Sequence, residues 1–410
     1  MEVILGCCAG LDVHKDSVEA CVRRTSAGGK VEHEVRHWGT ATRELVAMSE
    51  WLAGVGVTHV AMESTGVYWK PIFNILEGQF EILLANAHHL KNVPGRKTDI
   101  KDCQWIAQLL QHGLLKGSFI PPRPQRELRD LTRQRTQLVD ELSRISNRIQ
   151  KVLEDANVKL GSVASNVVGA SGRLMLEAIV AGQDDPAQLA DLAKRRLRAK
   201  IPQLEQALYG KLTDHHRWML KLLLDQLQAT EQFIARLDER IVELTRPQQP
   251  VLEKLDAIPG VDRRVAEVLL AEIGPDVTPF PSDAHLASWA GICPGNNESA
   301  GKKRSGKTTK GSRWLRQALV QAAWAASHKK DSYFQAHAHN LMHRRGRKRG
   351  LVAVAHSLLT VIYHMLKEGT LYRDLGPRFL DQIRATHLIR FHVRRLQNLG
   401  MEVALTPTAE

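Results

Sequence analysis

Along the first 113 residues, apolar and polar positions switch repeatedly between a period of two and a period of three to four. "VILGCCAGLDV" (3–13) is an apolar run that ends in an acid and a valine. "SVEACVRRT" (17–25) and "KVEHEVRHW" (30–38) alternate apolar and polar residues, with a Gly-Gly turn between them, which predicts a hairpin. "ATRELVAMSEWLAGVG" (41–56) has helical spacing and ends at glycine. "THVAMEST" and "FEILLAN" predict two further short buried strands, separated by a helix around Tyr68–Leu76. "DIKDCQWIAQLLQHG" (99–113) then closes the unit as a helix. Three strands in a meander followed by strands alternating with helices predict an α/β domain over residues 1–120, with a mixed sheet.

The pattern changes after residue 120. "QRELRDLTRQRTQLVDELSRISNRIQKVLEDA" and "LLLDQLQATEQFIARLDERIVELT" carry apolar residues three and four apart with dense charge between. They predict long amphipathic helices paired as a coiled coil, with most of the charge on a solvated face. Loop signals at "GASG" and "GQDDP" lie between them with a shorter helical patch, so residues 121–249 are expected to form a helical, coiled-coil spacer. Residues 250–370 are mainly helical: "LDAIPGVDRRVAEVLLAEIG" reads helix, Pro-Gly turn, helix. A Gly/Ser/Lys-rich loop, a helix over Ser312–Ser327, the basic run "HRRGRKRG" and an apolar helix over 351–366 follow, and 371–410 is a peripheral tail.

The 410 residues suffice for two or three domains. Lys+Arg 57 against Asp+Glu 44 gives a net charge of +13, which predicts a polyanionic partner, either nucleic acid or an anionic membrane. Aromatic content of 5% argues against a surface that reads bases mainly by stacking. The most apolar stretch, 351–366, is interrupted by His356, Ser357 and His364 and reads as a buried helix, not a membrane span. The N-terminal residues enter a strand without a basic leader or cleavage site. Cys7, Cys8, Cys21, Cys103 and Cys293 form no C-x-x-C pair, which fits a reducing cytoplasm and points to neither a zinc site nor a disulfide framework. Nucleic acid is therefore the expected partner and a membrane is not.

Four acids stand out. Asp12 ends the first strand in "GLDVHKD", and Glu63 ends a later one in "AMESTG". Strand ends along one edge of an α/β sheet are where ligand sites collect. Asp99 and Asp102 open the closing helix three residues apart, which is one helical face. Like charges so placed need a cation, either a lysine such as Lys97 or Lys101 or a metal ion. Lysine side chains prefer water, whereas convergent carboxylates suit Mg2+ or Mn2+. A pair of such ions can activate a nucleophile and stabilise a leaving oxygen on phosphate. Singly, each acid also fits a cap or a surface position.

In the order Asp–Glu–Asp–Asp, "GLDVHKD", "MESTGVYW" and "KTDIKDCQWIAQLL" resemble the RuvC-type, ribonuclease-H-like domain of the DEDD insertion-sequence transposases, the insertion sequence one-ten class of bridge-RNA-guided recombinases. The lead-in "HHLKNVPGRKTD", with His88 and His89, is similar too. The resemblance implies that Asp12, Glu63, Asp99 and Asp102 bind metal. It further implies a structured guide RNA, a homo-dimer or tetramer, and a composite site between subunits.

Two C-terminal motifs complete the reading. "IPGVDRRVAEVLL" resembles a helix-hairpin-helix whose turn at Gly260 offers backbone N–H groups to a phosphate, or else it is an αα-hairpin packed in a core. "GICPGNNESAGKKRSGKTTKGSRWLR" holds seven basic residues between 302 and 316 and no acid there: Lys302, Lys303, Arg304, Lys307, Lys310, Arg313 and Arg316. The order is not that of a Walker A motif, so ATP is not implied. A loop this basic fits a nucleic-acid backbone. Its "ESAG…G…TKG…LR" is similar to the transposase domain of the same family, which implies Ser299 as nucleophile, with Ser305 in reserve. The expectation is a DNA recombinase that cuts and rejoins strands through a Mg2+-assisted serine. The alternatives are a RuvC-like junction nuclease that uses water, or a non-catalytic binding scaffold.

Overall fold

The computed structural model describes residues 2–26, 28–64, 66–86, 90, 101–294, 297–299, 302–305, 307–383 and 385–406, with the side chains of 297–299 and 302–305 excepted. Its contacts fall into two compact units, Met1–Pro121 and Pro122–Glu410.

The first unit is a five-stranded sheet in the order β3-β2-β1-β4-β5. β1 (Cys7–Val13), β2 (Ser17–Thr25) and β3 (Val31–Gly39) form the antiparallel meander. β4 (His59–Glu63) and β5 (Glu81–Ala85) add in parallel to β1. The crossovers are α1 (Thr42–Gly54) and α2 (Trp69–Leu76), and α3 (Asp102–Gln111) follows β5. Period-two alternation divides the strand residues between two faces. Leu11, Val18, Ala20, Val60 and Met62 bury one face against Leu45, Met48 and Leu52 of α1 and Ile72 and Leu76 of α2. Cys8, Ala61 and Ala85 bury the other against Trp105, Ile106 and Leu109 of α3. This is the mixed sheet with flanking helices of a RuvC-like, ribonuclease-H-like unit.

The second unit is mainly helical. α4 (Arg123–Asp155) is followed by the shorter α5 (Leu160–Val163), α6 (Ala170–Val180), α7 (Pro186–Asp191) and α8 (Ile201–Leu208). The long α9 (Asp214–Thr245) returns along α4, and Ile145, Ile149, Leu153, Leu220, Leu223 and Leu227 share one core with α6 and α8. Then come α10 (Gln249–Asp256), α11 (Arg263–Ile273), α12 (Asp283–Ala290), α13 (Arg313–Ala326), α14 (Tyr333–Arg345) and α15 (Arg347–Glu368). α15 is long and apolar enough to cross a membrane by length and composition, but Val354, Ala355, Leu358, Leu359 and Ile362 are buried, and the helix packs on α12, α13 and α14. α16 (Phe379–Ile383) and α17 (Ala385–Gln397) bury no residue. The stretch expected to be a loop holds a short antiparallel hairpin, β6 (Asn297–Ser299) with β7 (Lys302–Ser305), extended by a bridge between Pro294 and Thr308.

The expectation that charges on the long helices are mostly solvated has a clear exception. Glu272 of α11 is fully buried and receives Arg133 through Nε at 2.7 Å and Nη2 at 3.0 Å. Arg129, also buried, donates to the carbonyls of Ala271 and Glu272, and Ser312 Oγ donates to Glu272 Oε2 at 3.1 Å. One buried carboxylate thus joins α4, α11 and the N-cap of α13.

Candidate active site

β1 and β4 run parallel with Leu11 beside Met62, so the next residues, Asp12 and Glu63, reach the same level at adjacent strand ends. Leu11 and Met62 face α1 and α2, so strand alternation turns Asp12 and Glu63 to the α3 side. The helix lies very close there. A Cβ on Gly10 would meet Ala107 N at 2.3 Å and Cys103 O at 2.4 Å, so only glycine lets the backbone of α3 rest on β1. Asp102 is the first residue of that helix and therefore arrives beside Asp12.

The electrostatics agree with this placement. Burial lifts the Asp12 carboxyl above its ordinary value; His14 draws it back, and the charges of Asp102 and Glu19 raise it. His14 Nε2 lies 3.2 Å from Asp12 Oδ2. Glu19 sits directly opposite Asp12 in the β1–β2 register. Lys101 Nζ reaches Glu19 Oε1 at 3.2 Å, so this lysine compensates Glu19. Cys103 follows Asp102, but burial first, then Glu19 and Asp12, push its thiol up to about 11, so it supplies no thiolate at neutral pH.

Asp99, His88 and His89 lie outside the described residues. Lys101 is extended (φ −61°, ψ 149°) and caps α3, whose first residue is Asp102. Among the described residues, no group of three or more His, Cys, Asp or Glu side chains is gathered tightly enough to hold a metal ion. The donor set itself suits a hard divalent cation: Asp12 and Asp102 are oxygen donors whose charges repel, at a partly desolvated position.

In the second unit, Ser299 ends β6 opposite Lys302, and Ser305 ends β7, with neither side chain described, nor those of Lys302, Lys303 and Arg304. Lys307, Lys310 and Arg313 are exposed, and the Arg313 guanidinium lies 4.2 Å from the centroid of the Trp314 ring. Arg316 Nη2 donates to the Thr309 carbonyl at 2.6 Å, bracing the loop from inside. Gly260 has φ +83°, and a Cβ there would meet Ala322 O at 2.2 Å and Ala326 N at 2.5 Å. Its turn is pressed against the backbone of α13, as in an αα-hairpin within a core, and a distinct helix-hairpin-helix is not evident.

Sequence reasoning missed Gly10, His14 and Glu19. Glu19 was visible only as a polar position of an alternating strand, and its relation to Asp12 needs the register.

Comparison with known proteins adds independent findings. The family model described as "Transposase", of the DEDD IS110 type, matches residues 9–158, and that described as "Transposase IS116/IS110/IS902 family" matches residues 252–339. An insertion element IS110 uncharacterized 43.6 kDa protein of Streptomyces coelicolor is 28% identical over 69% of this chain and 74% of its own. An insertion element IS116 uncharacterized 44.8 kDa protein of Streptomyces clavuligerus is 24% identical over 72% and 81%. A pilin gene-inverting protein of Moraxella bovis is 28% identical over 35% and 47%.

The first match corrects the expected serine chemistry. A DEDD signature over residues 9–158 is the mark of a two-metal, RuvC-like nuclease, in which carboxylates place metal ions that activate water. Such a site needs no hydroxyl side chain as nucleophile, so Ser299 and its reserve Ser305 lose that role, and with them the covalent intermediate.

Proposed function

Because this chain belongs to the IS110/IS116 family of insertion-sequence transposases, we propose that its first unit cuts DNA strands by metal-assisted attack of water, while its basic second unit holds nucleic acid. The observation that carries this reading is the level placement of Asp12 and Glu63 on parallel strands, with Asp102 brought to Asp12 by the Gly10 contact. Asp12, Glu63 and Asp102, with Asp99, are the side chains that would hold Mg2+ or Mn2+. When bound, such ions make water acidic enough to attack phosphorus and stabilise the leaving oxygen. His14 orients one oxygen of Asp12, and Lys101 compensates Glu19, whose charge would otherwise add to those of the ligands.

The wider organisation is part of the proposal: residues 1–120 catalytic, 121–249 a spacer that assembles protomers, 250–370 a nucleic-acid-binding transposase domain, 371–410 peripheral. A homo-dimer or tetramer is favoured by the exposed Trp218, Leu222 and Phe233 on α9. DNA is the substrate and a structured RNA the second partner, both acting in the cytoplasm. Lys307, Lys310 and Arg313 support backbone contact with these polyanions. Gly260 is left out, since the packing of its turn on α13 accounts for the glycine.

The test uses labelled DNA carrying the element's ends. Strand cuts should appear with Mg2+ and vanish in EDTA, and Asp12→Asn and Glu63→Gln should bind DNA but not cut it. Cutting by either variant, or cutting in EDTA, would refute the assignment.

A further inference from the structure

We propose that the cleft between α14, α15 and the stalk of the β6–β7 hairpin binds an unpaired strand of nucleic acid. The basic run "HRRGRKRG" supplies Arg345, Lys348 and Arg349 to its lining. Gly346, at φ +78°, makes the turn between the two helices. A Cβ on Gly350 would meet Met342 Cα at 2.9 Å, so the helices touch at backbone level there. Residues four apart on α14 (His337, Leu341, Arg345) and their counterparts on α15 (Arg349, Val352, His356) therefore face one space. The third wall is the bridged pair Pro294 and Thr308, with Ile292 and Lys307 beside them.

The cleft holds about 1010 Å3. Its chemistry is divided. Lys307, Arg345, Lys348 and Arg349 bring four cations to it, and no Asp or Glu is among its described lining residues. Ile292, Leu341, Val352 and Ala353 give it an apolar floor. His337 is held in place: Nε2 lies 3.0 Å from Ser357 Oγ, and its ring stacks on Tyr333 at 5.3 Å. Cations along the rim with apolar and ring surfaces below match a phosphodiester strand whose bases turn inward. A duplex keeps its bases stacked inside and offers the floor nothing. The volume, at the top of the range of about 300–1,000 Å3 for small-ligand clefts, has room for more than one nucleotide.

The choice of nucleic acid rests on the transposase reading, but the test is binding in EDTA, so it succeeds or fails independently of cleavage. Full-length protein is titrated against fluorescein-labelled oligo-dT, oligo-rU and a blunt duplex over a range of KCl. Arg345→Ala/Arg349→Ala, both on the surface, should weaken single-strand binding about tenfold or more. It should also flatten the log K against log salt slope by about 1.4, since each phosphate contact on a single strand contributes about 0.7. Ala353→Leu, which crowds the floor without changing charge or adding a stacking ring, should weaken single-strand binding and leave duplex binding within about twofold. Preference for dT would identify a displaced DNA strand and preference for rU an RNA; either supports the site. Unchanged single-strand affinity and slope in the double variant, or equal losses for duplex and single strand, would overturn it.

Discussion

Gly10→Ala should separate catalysis from folding in this protein. The added Cβ would sit 2.3 Å from Ala107 N and 2.4 Å from Cys103 O, both backbone atoms of α3 that no rotamer change can move aside. Restoring the 3.4 Å at which ordinary contact begins requires α3 to retreat from β1 by about 1.1 Å. Overpacking of this kind costs about 1–3 kcal/mol, which leaves the unit folded if its stability lies in the usual range of about 5–15 kcal/mol. The catalytic cost is larger. Asp102 begins the displaced helix while Asp12 stays on the strand, and a misplacement of about 1 Å between reacting groups costs on the order of 100-fold in rate. Single-turnover strand cutting and urea unfolding, measured on the same preparation, give both quantities. Near-wild-type cutting together with the expected loss of stability would refute the argument that close approach of α3 assembles the site. A conservative control, Ala61→Gly, thins the same layer without moving the helix and should cut DNA at close to the wild-type rate.

Other consequences can be measured independently. In EDTA at pH 7, Asp12→Asn should melt above the wild type: burial raises the folded-state carboxyl above 3.8, so the wild type loses stability as pH rises through that range, and the gap should close as pH falls towards 3.8. Glu272→Ala strands Arg133 and Arg129 and should destabilise the second unit by about 3–5 kcal/mol in urea unfolding; a change below about 1 kcal/mol would contradict the buried junction. Lys101→Ala removes an exposed pair with Glu19 and should cost at most about 1 kcal/mol of stability. The same variant should lower the Mg2+ concentration needed for cutting, read as a shifted metal titration, because Glu19 then adds an uncompensated negative charge beside Asp12.

The elements that position the acids were legible because apolar runs led into Asp12 and Glu63 and the periodic segment 99–113 carried Asp102 in its first turns. Alternation alone assigned β2 and β3. What the sequence could not show was register and depth. Glu19 looked like one more polar position of a half-exposed strand until pairing set it opposite Asp12. Gly10 looked like a residue in an apolar run, because close approach is a property of two segments, not one. Arg129, Arg133 and Glu272 have the helical spacing of solvated charges, and only the packing of α4 on α11 buries them. The serine rests on the resemblance of "ESAG…G…TKG…LR", a pattern within one loop and the helix after it, whereas Asp12, Glu63 and Asp102 lie on three separate segments of one sheet-and-helix unit. The basic loop was read correctly in charge but not in form, since Gly-rich composition hides the pairing of β6 with β7.

The most direct test of the central claim asks which atom attacks DNA. Labelled DNA carrying the element's ends is incubated with Mg2+ and wild-type, Asp102→Asn or Ser299→Ala protein, and the products are resolved on a denaturing gel. The account predicts free cut strands with no label on protein, loss of cutting in Asp102→Asn, and retained cutting in Ser299→Ala. A protein-bound label that disappears in Ser299→Ala would contradict it.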